Sequence, residues 1–411
     1  MTDTPGTRAC PFSAPDTTAE RIRQWTLYQP WLQQDPIPYW NEMREAAPIA
    51  RSEAFGGYWI LTRYEDVEWA ARTPEVFSNA EVAIPHRTIF PARQIPIQLD
   101  GDEHRAWRRT LSDLFNPGVV NHFTPQIRQA TLDTIKPLAA RGRAEFVEDV
   151  AVALPAETFL ITFGIGREYV GQMLGHKDWL RREGIPNAKT DEDILKANEP
   201  LWSFFSDAID RRRAEGTEGR LDVFSRLLET TFDGRALTQD EMVNAAFVSM
   251  LAALDTTTAS LSQIFLYLAQ HPETQELVRE QPERIPVIAE ELIRHEPVST
   301  TGRLVVQDVE RHGVTMHKGD RVLMPWGMTG LDPDVFASPE TVDFDRASTR
   351  HLGFGIGPHR CLGMHVARRI ITTALEVWHA HIPAYRLSPG TTPIRRYSPA
   401  RGVESLDLEW P

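Results

Sequence analysis

A run near the carboxyl-terminal end of the chain carries the residues best suited to hold a metal. It reads Phe354-Gly355-x-Gly357-x-His359-x-Cys361-x-Gly363, and Gly353 precedes it. Glycines at alternate positions allow a tight loop to lie flat against a large planar ligand, and the amphipathic run that follows predicts a helix. Cys361 is therefore expected at a helix N-terminus, where the dipole and free N–H groups favour the thiolate that ligates metal. A single cysteine is more often a small buried hydrophobe, but this spacing argues against that interpretation.

A second group of reactive side chains lies in an apolar stretch that reads Ala252-Ala253-Leu254-Asp255-Thr256-Thr257-Thr258. Three β-branched residues and an aspartate are poor helix formers, and their oxygens compete for backbone groups, so a helix is expected to loosen here. A lone threonine usually bonds to the carbonyl four residues earlier. An acid beside a hydroxyl in apolar surroundings instead predicts a pair, Asp255 and Thr256, that passes protons through bound water.

Glu291 and Arg294 form a third candidate pair. At i, i+3 they lie on one helix face and can form an ion pair. Most such pairs are solvated and contribute little to stability. The position of the Glu291–Arg294 pair, between the apolar stretch and the glycine-rich loop, favours a structural role.

The elements that must position these groups are mostly helices. Apolar residues recur at three- and four-residue spacing in six segments, which are 67–71, 104–115, 125–140, 202–214, 239–270 and 363–381. Thr238 and Glu241 fit a capping box for the longest of these, which would span about 48 Å at 1.5 Å per residue. Strand-like runs are few and short, namely 58–62, 303–306, 314–316 and 321–324. The predicted fold is mainly α with a small β part.

Composition limits the class of protein. The 411 residues carry 44 Lys and Arg against 57 Asp and Glu, a net charge of −13 that argues against a general nucleic-acid binder. Two cysteines far apart, Cys10 and Cys361, are not a disulfide framework, so a reducing cytoplasm is expected. Charged residues interrupt the first forty positions, so neither a signal peptide nor a membrane anchor is expected.

Together the three motifs resemble those of the cytochrome P450 haem-thiolate monooxygenases, in the right order and spacing. The loop with Cys361 resembles the haem-binding signature, Glu291-x-x-Arg294 the family's Glu–Arg pair, and Ala252-Ala253-x-Asp255-Thr256 its oxygen-activation motif. The soluble bacterial, camphor-hydroxylating type is the most similar. The resemblance implies the cytochrome P450 fold, with a long distal helix crossing the haem, in a single domain from 37 to 411 after an N-terminal extension, 1–36.

The resemblance assigns site residues one by one. It implies that haem b is held by Cys361 as the axial thiolate, with His104, Arg108, Arg303 and His359 at the propionates and Phe354 and Gly363 in the loop. It implies that Asp255 and Thr256 deliver protons during catalysis and that Glu291 and Arg294 support the haem loop. Two departures stand out, because Ala253 replaces a usual glycine and Thr301 stands where the camphor enzyme type has an acid.

The resemblance also implies where a substrate would bind. The expected contacts are apolar apart from one serine, namely Ile95, Ile97, Val248, Leu251, Ala252, Val298, Ser299, Pro399 and Ala400. This set favours a small hydrophobic, terpenoid-like substrate. An aromatic acid is the alternative, because Arg87 or Arg93 could pair with a carboxylate.

The expected partners are O₂, the hydrophobic substrate, and a separate 2Fe–2S ferredoxin with its reductase, with no nucleic acid and no membrane. The chain is too short and too poor in cysteine for its own electron-transfer domain. Six arginines form the predicted docking patch, namely Arg105, Arg108, Arg109, Arg360, Arg368 and Arg369. Two rivals remain: a peroxygenase that uses H₂O₂, against which the Asp255–Thr256 pair counts, and a haem or ligand carrier without catalysis.

Overall fold

The computed structural model describes residues 14–32, 35–85, 93–396 and 399–411, with the side chain of Arg396 left out. Helices dominate this part of the chain, with short 3₁₀ and π turns between some of them. The α-helices are α1 Thr18–Arg23, α2 Ile37–Ala46, α3 Tyr64–Arg72, α4 Gly101–Ser112, α5 Pro117–Ile135, α6 Ala153–Phe163, α7 Val170–Trp179, α8 Ile185–Asn187, α9 Asp191–Glu215, α10 Val223–Glu229, α11 Gln239–Gln270, α12 Pro272–Glu280, α13 Ile285–His295, α14 Trp326–Gly330 and α15 Met364–His381.

The strands are short and are joined in small sheets. They are β1 Ile49–Ser52, β2 Tyr58–Leu61, β3 Phe77–Ser78, β4 Arg143–Glu145, β5 Thr231–Phe232, β6 Arg235–Ala236, β7 Thr300–Val305, β8 Val309–Arg311, β9 Val314–Met316, β10 Arg321–Pro325, β11 Arg386–Leu387, β12 Ile394–Arg396, β13 Gly402–Ser405 and β14 Asp407–Glu409. The largest sheet has the order β1-β2-β10-β7-β3, and only the β2–β10 pairing in it is parallel. The prediction of a mainly α fold with a small β part is confirmed.

The longest predicted helix, α11, has the predicted ends. The hydroxyl of Thr238 accepts a hydrogen bond from Glu241 N, and the Glu241 carboxylate accepts one from the Thr238 N–H, so the capping box is complete. The predicted loosening at Asp255–Thr258 is wrong, because α11 is helical throughout. The polar side chains there find partners that leave the helix intact: Thr256 Oγ1 donates to Ala252 O, and Thr258 Oγ1 donates to Ala151 O.

Other helix boundaries differ from the prediction. The segment predicted from position 202 begins at Asp191, where Thr190 and Asp193 form a capping box, and it continues through Pro200. The segment predicted from position 125 begins at Pro117, where the Asn116 side chain caps the helix. Both helices were predicted to start too late, because each contains an internal proline, Pro125 or Pro200, that was read as a helix boundary. Packing stabilises a helix enough to accommodate such a proline.

Two large apolar clusters hold the helices together and meet along α11. One joins the second half of α11 to α13 and α15, and the other joins its first half to α6 and α9. By length and composition α11 could cross a membrane, but 61% of its apolar window is buried inside the protein. In the predicted N-terminal extension, Trp25 and Leu32 are buried in one cluster with Trp40 and Ile60.

Candidate active site

A cavity lies between α4, α6, α11, α15 and the loop that precedes α15. His104 and Arg108 of α4 and His359 and Cys361 of the loop reach its wall. Thr256 reaches it from α11. The structure therefore brings together predicted residues such as His104 and Cys361, which are 257 positions apart in the sequence.

The loop before α15 holds Cys361 at the cavity. Its backbone N–H donates to Phe354 O at 2.8 Å, and α15 begins at Met364 with Gly363 as N-cap. Gly353, Gly355 and Gly357 do not line the cavity, and the structure shows another use for two of them. Gly355 and Gly357 have φ of 66° and 73°, and a Cβ at Gly357 would lie 2.6 Å from Ala71 O. These two glycines are needed for left-handed turns, and Gly357 also for close packing.

Gly363 differs from the other glycines, because it lines the cavity and a Cβ there would meet no atom within 4 Å. Cys361 lies deep in the protein, yet its side chain is open to the cavity. Burial raises the pKa of the Cys361 thiol, although the Gly363 N–H and the charges of Arg108 and Arg368 act in the opposite direction. The N–H groups at the helix N-terminus thus act toward the thiolate, as expected, while burial acts against it, and a bound cation would stabilise the thiolate further.

A cationic edge lies at the α4 end of the cavity. The rings of His104 and His359 stack with centroids 3.8 Å apart, and His359 Nε2 donates to Asp100 Oδ1 at 3.3 Å. Burial lowers the pKa of His104 to about 4, and the neighbouring charges of His359 and Arg108 add to this. Burial also lowers the pKa of His359, against the hydrogen bond to Asp100.

Two guanidiniums belong to this edge, that of Arg303, which is buried, and that of Arg108, which is half-buried. Burial lowers the pKa of Arg108, and it lowers that of Arg303 to about 10. Within the described residues neither guanidinium forms an ion pair, and Arg303 donates only to Gly302 O and to Thr301 Oγ1. Trp326 Nε1 also donates to Thr301 Oγ1. Because residue 301 is a threonine and not an acid, it supplies no negative charge to this edge.

Asp100 is the carboxylate of the cationic edge. Burial acts to raise its pKa, but hydrogen bonds from His359 and Ser78 outweigh burial and leave the pKa lowered. One carboxylate cannot balance Arg108 and Arg303 together, because buried charges need charged partners. A planar ligand that carries two carboxylates at one edge and an iron facing Cys361 satisfies this donor set. The residues present therefore fit haem b.

The opposite wall of the cavity is formed by α11. Thr256 Oγ1 donates to Ala252 O at 2.6 Å, the local bond that is ordinary for a helical threonine. Asp255 is not a buried, isolated acid, because Lys177 Nζ of α7 lies 2.6 Å from its Oδ1. The Lys177 side chain is 11% exposed and that of Asp255 is 37% exposed. No local signal in the sequence links Lys177 to Asp255, since 78 residues separate them.

Three further hydroxyls open onto the cavity, those of Thr158, Ser249 and Thr257. Thr158 and Thr257 are buried, and in the described part of the chain none of the three hydroxyls forms a hydrogen bond with another residue. Thr257 lies one helical turn after Ala253 on the cavity wall. Ser249 lies on the same face as Thr256, about two turns earlier.

Glu291 and Arg294 are completely buried. Arg294 donates to both carboxylate oxygens of Glu291 at 2.8 Å, and also to the carbonyls of Gly330, Pro339 and Thr341. Glu291 also accepts from Asp343 N. The pair therefore fixes the segment that leads into the cysteine loop and is not an exposed salt bridge.

The predicted substrate contacts are divided by the structure. Ile97, Val248 and Ala252 line the cavity. The others do not line it, namely Ile95, Leu251, Val298, Ser299, Pro399 and Ala400. Ser299 and Ala400 are bridged to each other, and Ile95 N donates to Asn244 Oδ1. Of the predicted cofactor contacts, Arg303 and Phe354 do not line the cavity, although Arg303 is close enough to Asp100 and His359 for their charges to interact.

The predicted docking arginines are also divided. Arg108 lines the cavity, and Arg368 is bound by Glu290, so neither is a free surface charge. Arg105 is exposed and pairs with Asp102, and Arg369 donates to Asn121 Oδ1. Arg109 and Arg360 are exposed.

Known proteins are similar to this chain in sequence and in fold. A family model described as Cytochrome P450 matches residues 185–285 and 286–381. A probable cytochrome P450 127A1 of Sinorhizobium fredii is 30% identical over 86% of this chain and 84% of its own. A steroid C26-monooxygenase of Rhodococcus jostii is 29% identical, over 90% of this chain and 79% of its own. The crystal structure of cytochrome P450 CYP101C1 matches with a TM-score of 0.85 and 30% identity, over 95% of this chain and 97% of that one.

Proposed function

The chain belongs to the cytochrome P450 family, whose members bind haem b, and is a monooxygenase; from this premise we propose that it oxidises a small hydrophobic substrate with electrons from NAD(P)H. The electrons reach it in the cytoplasm through a separate 2Fe–2S ferredoxin and ferredoxin reductase. The observation that carries the proposal is that one cavity is lined by Cys361, by His104, Arg108 and His359 of the cationic edge, and by Thr256.

The proposed haem contacts follow from the cavity. Cys361 would supply the sulfur that binds the haem iron, and Arg108, Arg303, His104 and His359 would hold the two propionates by charge-assisted hydrogen bonds. Haem bound through a thiolate supplies the O₂ activation and O–O cleavage of this family. The apolar residues of α6 and α15 that line the rest of the cavity exclude water from it, which protects the reaction from side products.

The proposed proton route runs along α11. The Asp255 carboxylate is partly exposed and takes protons from solvent, and Lys177 holds it in place through the 2.6 Å ion pair. Thr256 Oγ1 is one residue away on the cavity wall. When the Thr256 hydroxyl leaves Ala252 O, it can donate into the cavity and accept a proton relayed from Asp255 through water. The Ala252 carbonyl thus accepts the hydrogen bond of the Thr256 hydroxyl whenever that hydroxyl does not donate into the cavity.

The proposed ferredoxin site is smaller than the six-arginine patch. Arg109 and Arg360 are exposed, and Arg360 is adjacent to Cys361. On a chain of net charge −13, local basic residues favour an acidic carrier at this surface. Arg109→Glu and Arg360→Glu should slow electron transfer without loss of haem, and added salt should slow it in the parent protein.

The proposed substrate is terpenoid-like, and an aromatic acid is the second choice. Ile97, Val248 and Ala252 supply apolar contacts, and the hydroxyl of Ser249 offers a partner to an alcohol or ketone oxygen. The aromatic acid is less well supported, because Arg93 is 62% exposed and pairs with Glu103. Arg87 lies outside the described residues. A relative named as a steroid C26-monooxygenase shows that the family includes larger terpenoid-derived substrates.

The test uses the purified holoprotein with ferredoxin, reductase, NADH and isotopically labelled O₂. Substrates are first screened as matched pairs of terpenes, terpene alcohols and aromatic acids by the shift in haem spin state. One labelled oxygen per product, dependent on ferredoxin, is the expected result. Product formed only with H₂O₂ would establish the peroxygenase instead. Ligand binding with no product under either condition would establish a carrier.

A further inference from the structure

Glu290 lies on α13 next to Glu291, but its carboxylate contacts a different part of the molecule. Arg368 of α15 donates to it through both Nε and Nη2, at 2.6 and 2.8 Å. His351 contacts the same carboxylate, with Nε2 3.1 Å from Oε2. His351 begins the cysteine loop and Arg368 lies in the second turn of the helix that follows it. One carboxylate therefore contacts both ends of the segment that contains Cys361.

The hydrogen bonds of His351 identify its tautomer. Gly353 N donates to His351 Nδ1 at 3.1 Å, so Nδ1 is the acceptor. In neutral imidazole the other nitrogen then carries the hydrogen, and His351 Nε2 donates to Glu290. Glu290 thus accepts three hydrogen bonds, all from groups that only an ionised carboxylate can satisfy together.

Glu290 remains ionised despite its surroundings. Burial acts to raise its pKa, but the hydrogen bonds from Arg368 and His351 outweigh burial and lower the pKa to about 2. A partly buried anion keeps its two donor residues in place, because moving either donor would leave a charge without its partner.

Arg368 extends the contact to the cysteine. Its guanidinium lies over the Phe354 ring, 4.5 Å from the centroid, in the geometry of a cation–π interaction. The backbone carbonyl of Phe354 in turn accepts the Cys361 N–H at 2.8 Å. Displacement of Arg368 would free the ring, and with it the peptide to which Cys361 is bound.

We propose that Glu290 is a positioning residue that clamps the two ends of the cysteine loop and so holds Cys361 in the geometry required to ligate the haem iron. The proposal rests on Cys361 being that ligand. Glu290 itself touches neither the cavity nor the cysteine. Its neighbour Glu291 fixes the segment before the loop, so α13 uses two adjacent carboxylates for two different tasks.

The test compares Glu290→Gln and Glu290→Asp with Glu376→Gln, a matched carboxylate-to-amide change. Glu376 lies on α15 and forms a half-exposed pair with Arg128. The readout is spectroscopic: the rate at which the reduced carbonyl complex loses its red-shifted thiolate band, measured together with haem content. Glu290→Gln should raise this rate about tenfold or more while haem stays bound, because the propionate contacts are unchanged. Glu290→Asp should restore part of the lost stability, and Glu376→Gln should match the parent.

Arg368→Lys decides the question if Glu290→Gln fails to incorporate haem. Lysine keeps the charge but loses the two-point contact and the stacking on Phe354, so the thiolate band should again be lost faster. Combining Arg368→Lys with Glu290→Asp should add little to the larger single effect, as expected for residues of one unit. Parent-like band stability in Glu290→Gln, or in both Arg368→Lys and Glu290→Asp, would overturn the proposal. Absence of the band from the parent protein would overturn the assignment of Cys361 instead.

Discussion

On the cysteine side of the cavity, formed by residues 351–363 with α13 and α15, charged side chains are paired with one another. Glu291 binds Arg294 with both side chains completely buried, and Glu290 binds Arg368 and His351. On the α11 side, from Val248 to Thr258, the hydroxyls that reach the cavity have few partners. Thr256 bonds only to its own helix, and Ser249 and Thr257 have no partner among the described residues.

The difference shows how rigidity is distributed around the site. The two side chains of a buried ion pair are held in one geometry, because a displaced charge would lose the opposite charge that pairs with it. A hydroxyl bonded to a helix carbonyl can rotate to another acceptor at little cost, because it exchanges one neutral hydrogen bond for another. We therefore expect changes on the cysteine side to affect stability and haem ligation, and changes on the α11 side to affect proton delivery and selectivity.

The largest effect is expected from Cys361→Ser. The serine should leave the propionate contacts in place, so haem can still be retained, but the red-shifted Soret band of the reduced carbonyl complex should disappear. Product formation should be abolished. Absorption spectra and turnover with the ferredoxin system measure both results, and a variant that kept the band would refute this ligand assignment.

Glu291→Gln should be the most destabilising of the remaining changes. It leaves Arg294 buried without its charge partner, which costs about 3–5 kcal/mol. The exposed pair of Glu376 with Arg128 supplies the control, since Glu376→Gln should cost at most about 1 kcal/mol. Urea denaturation followed by circular dichroism measures the free energy of unfolding. Equal losses in the two variants would contradict the contrast between buried and exposed pairs.

Acid should weaken the cysteine side through Glu290. Its pKa is lowered from 4.5 to about 2 in the folded protein, so its contribution is present above pH 4.5 and lost as the pH falls toward 2. That contribution is on the order of 3 kcal/mol. The free energy of unfolding of the parent should therefore exceed that of Glu290→Gln at pH 6, and the difference should shrink on acidification. A difference independent of pH would show that the carboxylate charge is not involved.

Thr256→Ala should change the chemistry and leave the fold intact. Removal of the hydroxyl cuts proton delivery at the cavity wall, so product per NADH should collapse and H₂O₂ should rise. NADH consumption should stay within about tenfold of the parent. Asp255→Asn should instead slow NADH consumption itself, because it removes the group that takes protons from solvent. Fully coupled turnover in Thr256→Ala would refute the assigned proton route.

A control for this prediction is present on the same helix. Thr258 donates to Ala151 O and lies off the cavity wall, so Thr258→Ala should cost some stability but leave coupling unchanged. Uncoupling in both variants would point to disturbance of α11 as a whole.

The smallest effect is expected from Ser249→Ala. Loss of one neutral hydrogen bond should weaken binding of a terpene alcohol by about tenfold or less, and leave its deoxygenated analogue unaffected. Spin-state titrations with the matched pair measure this. Equal weakening of both ligands would show that Ser249 supplies packing and not a polar contact.

Local sequence signals predicted much of the fold. The two ends of α11 followed from the Thr238 capping box and from the His271-Pro272 stop, and the start of α15 from the glycine and the amphipathic run. These signals act within a few residues, through hydrogen bonds and backbone angles that do not depend on the rest of the protein. The signals in the loop that carries Cys361, its glycines and the helix that follows, are equally local. The starts of α5 and α9 were missed, because tertiary packing stabilised helices through internal prolines.

The sequence by itself determined the helical class, the span of α11 and the loop that presents Cys361, because propensity, capping and glycine conformations are local. Only the tertiary structure decided that Lys177 holds Asp255, that Arg108 points into the cavity while Arg109 is exposed, and that Glu290 joins His351 to Arg368. Adjacent charged residues carry no local signal of which one is buried. Their surroundings are set when distant helices pack, and that packing assigns each charge its partner.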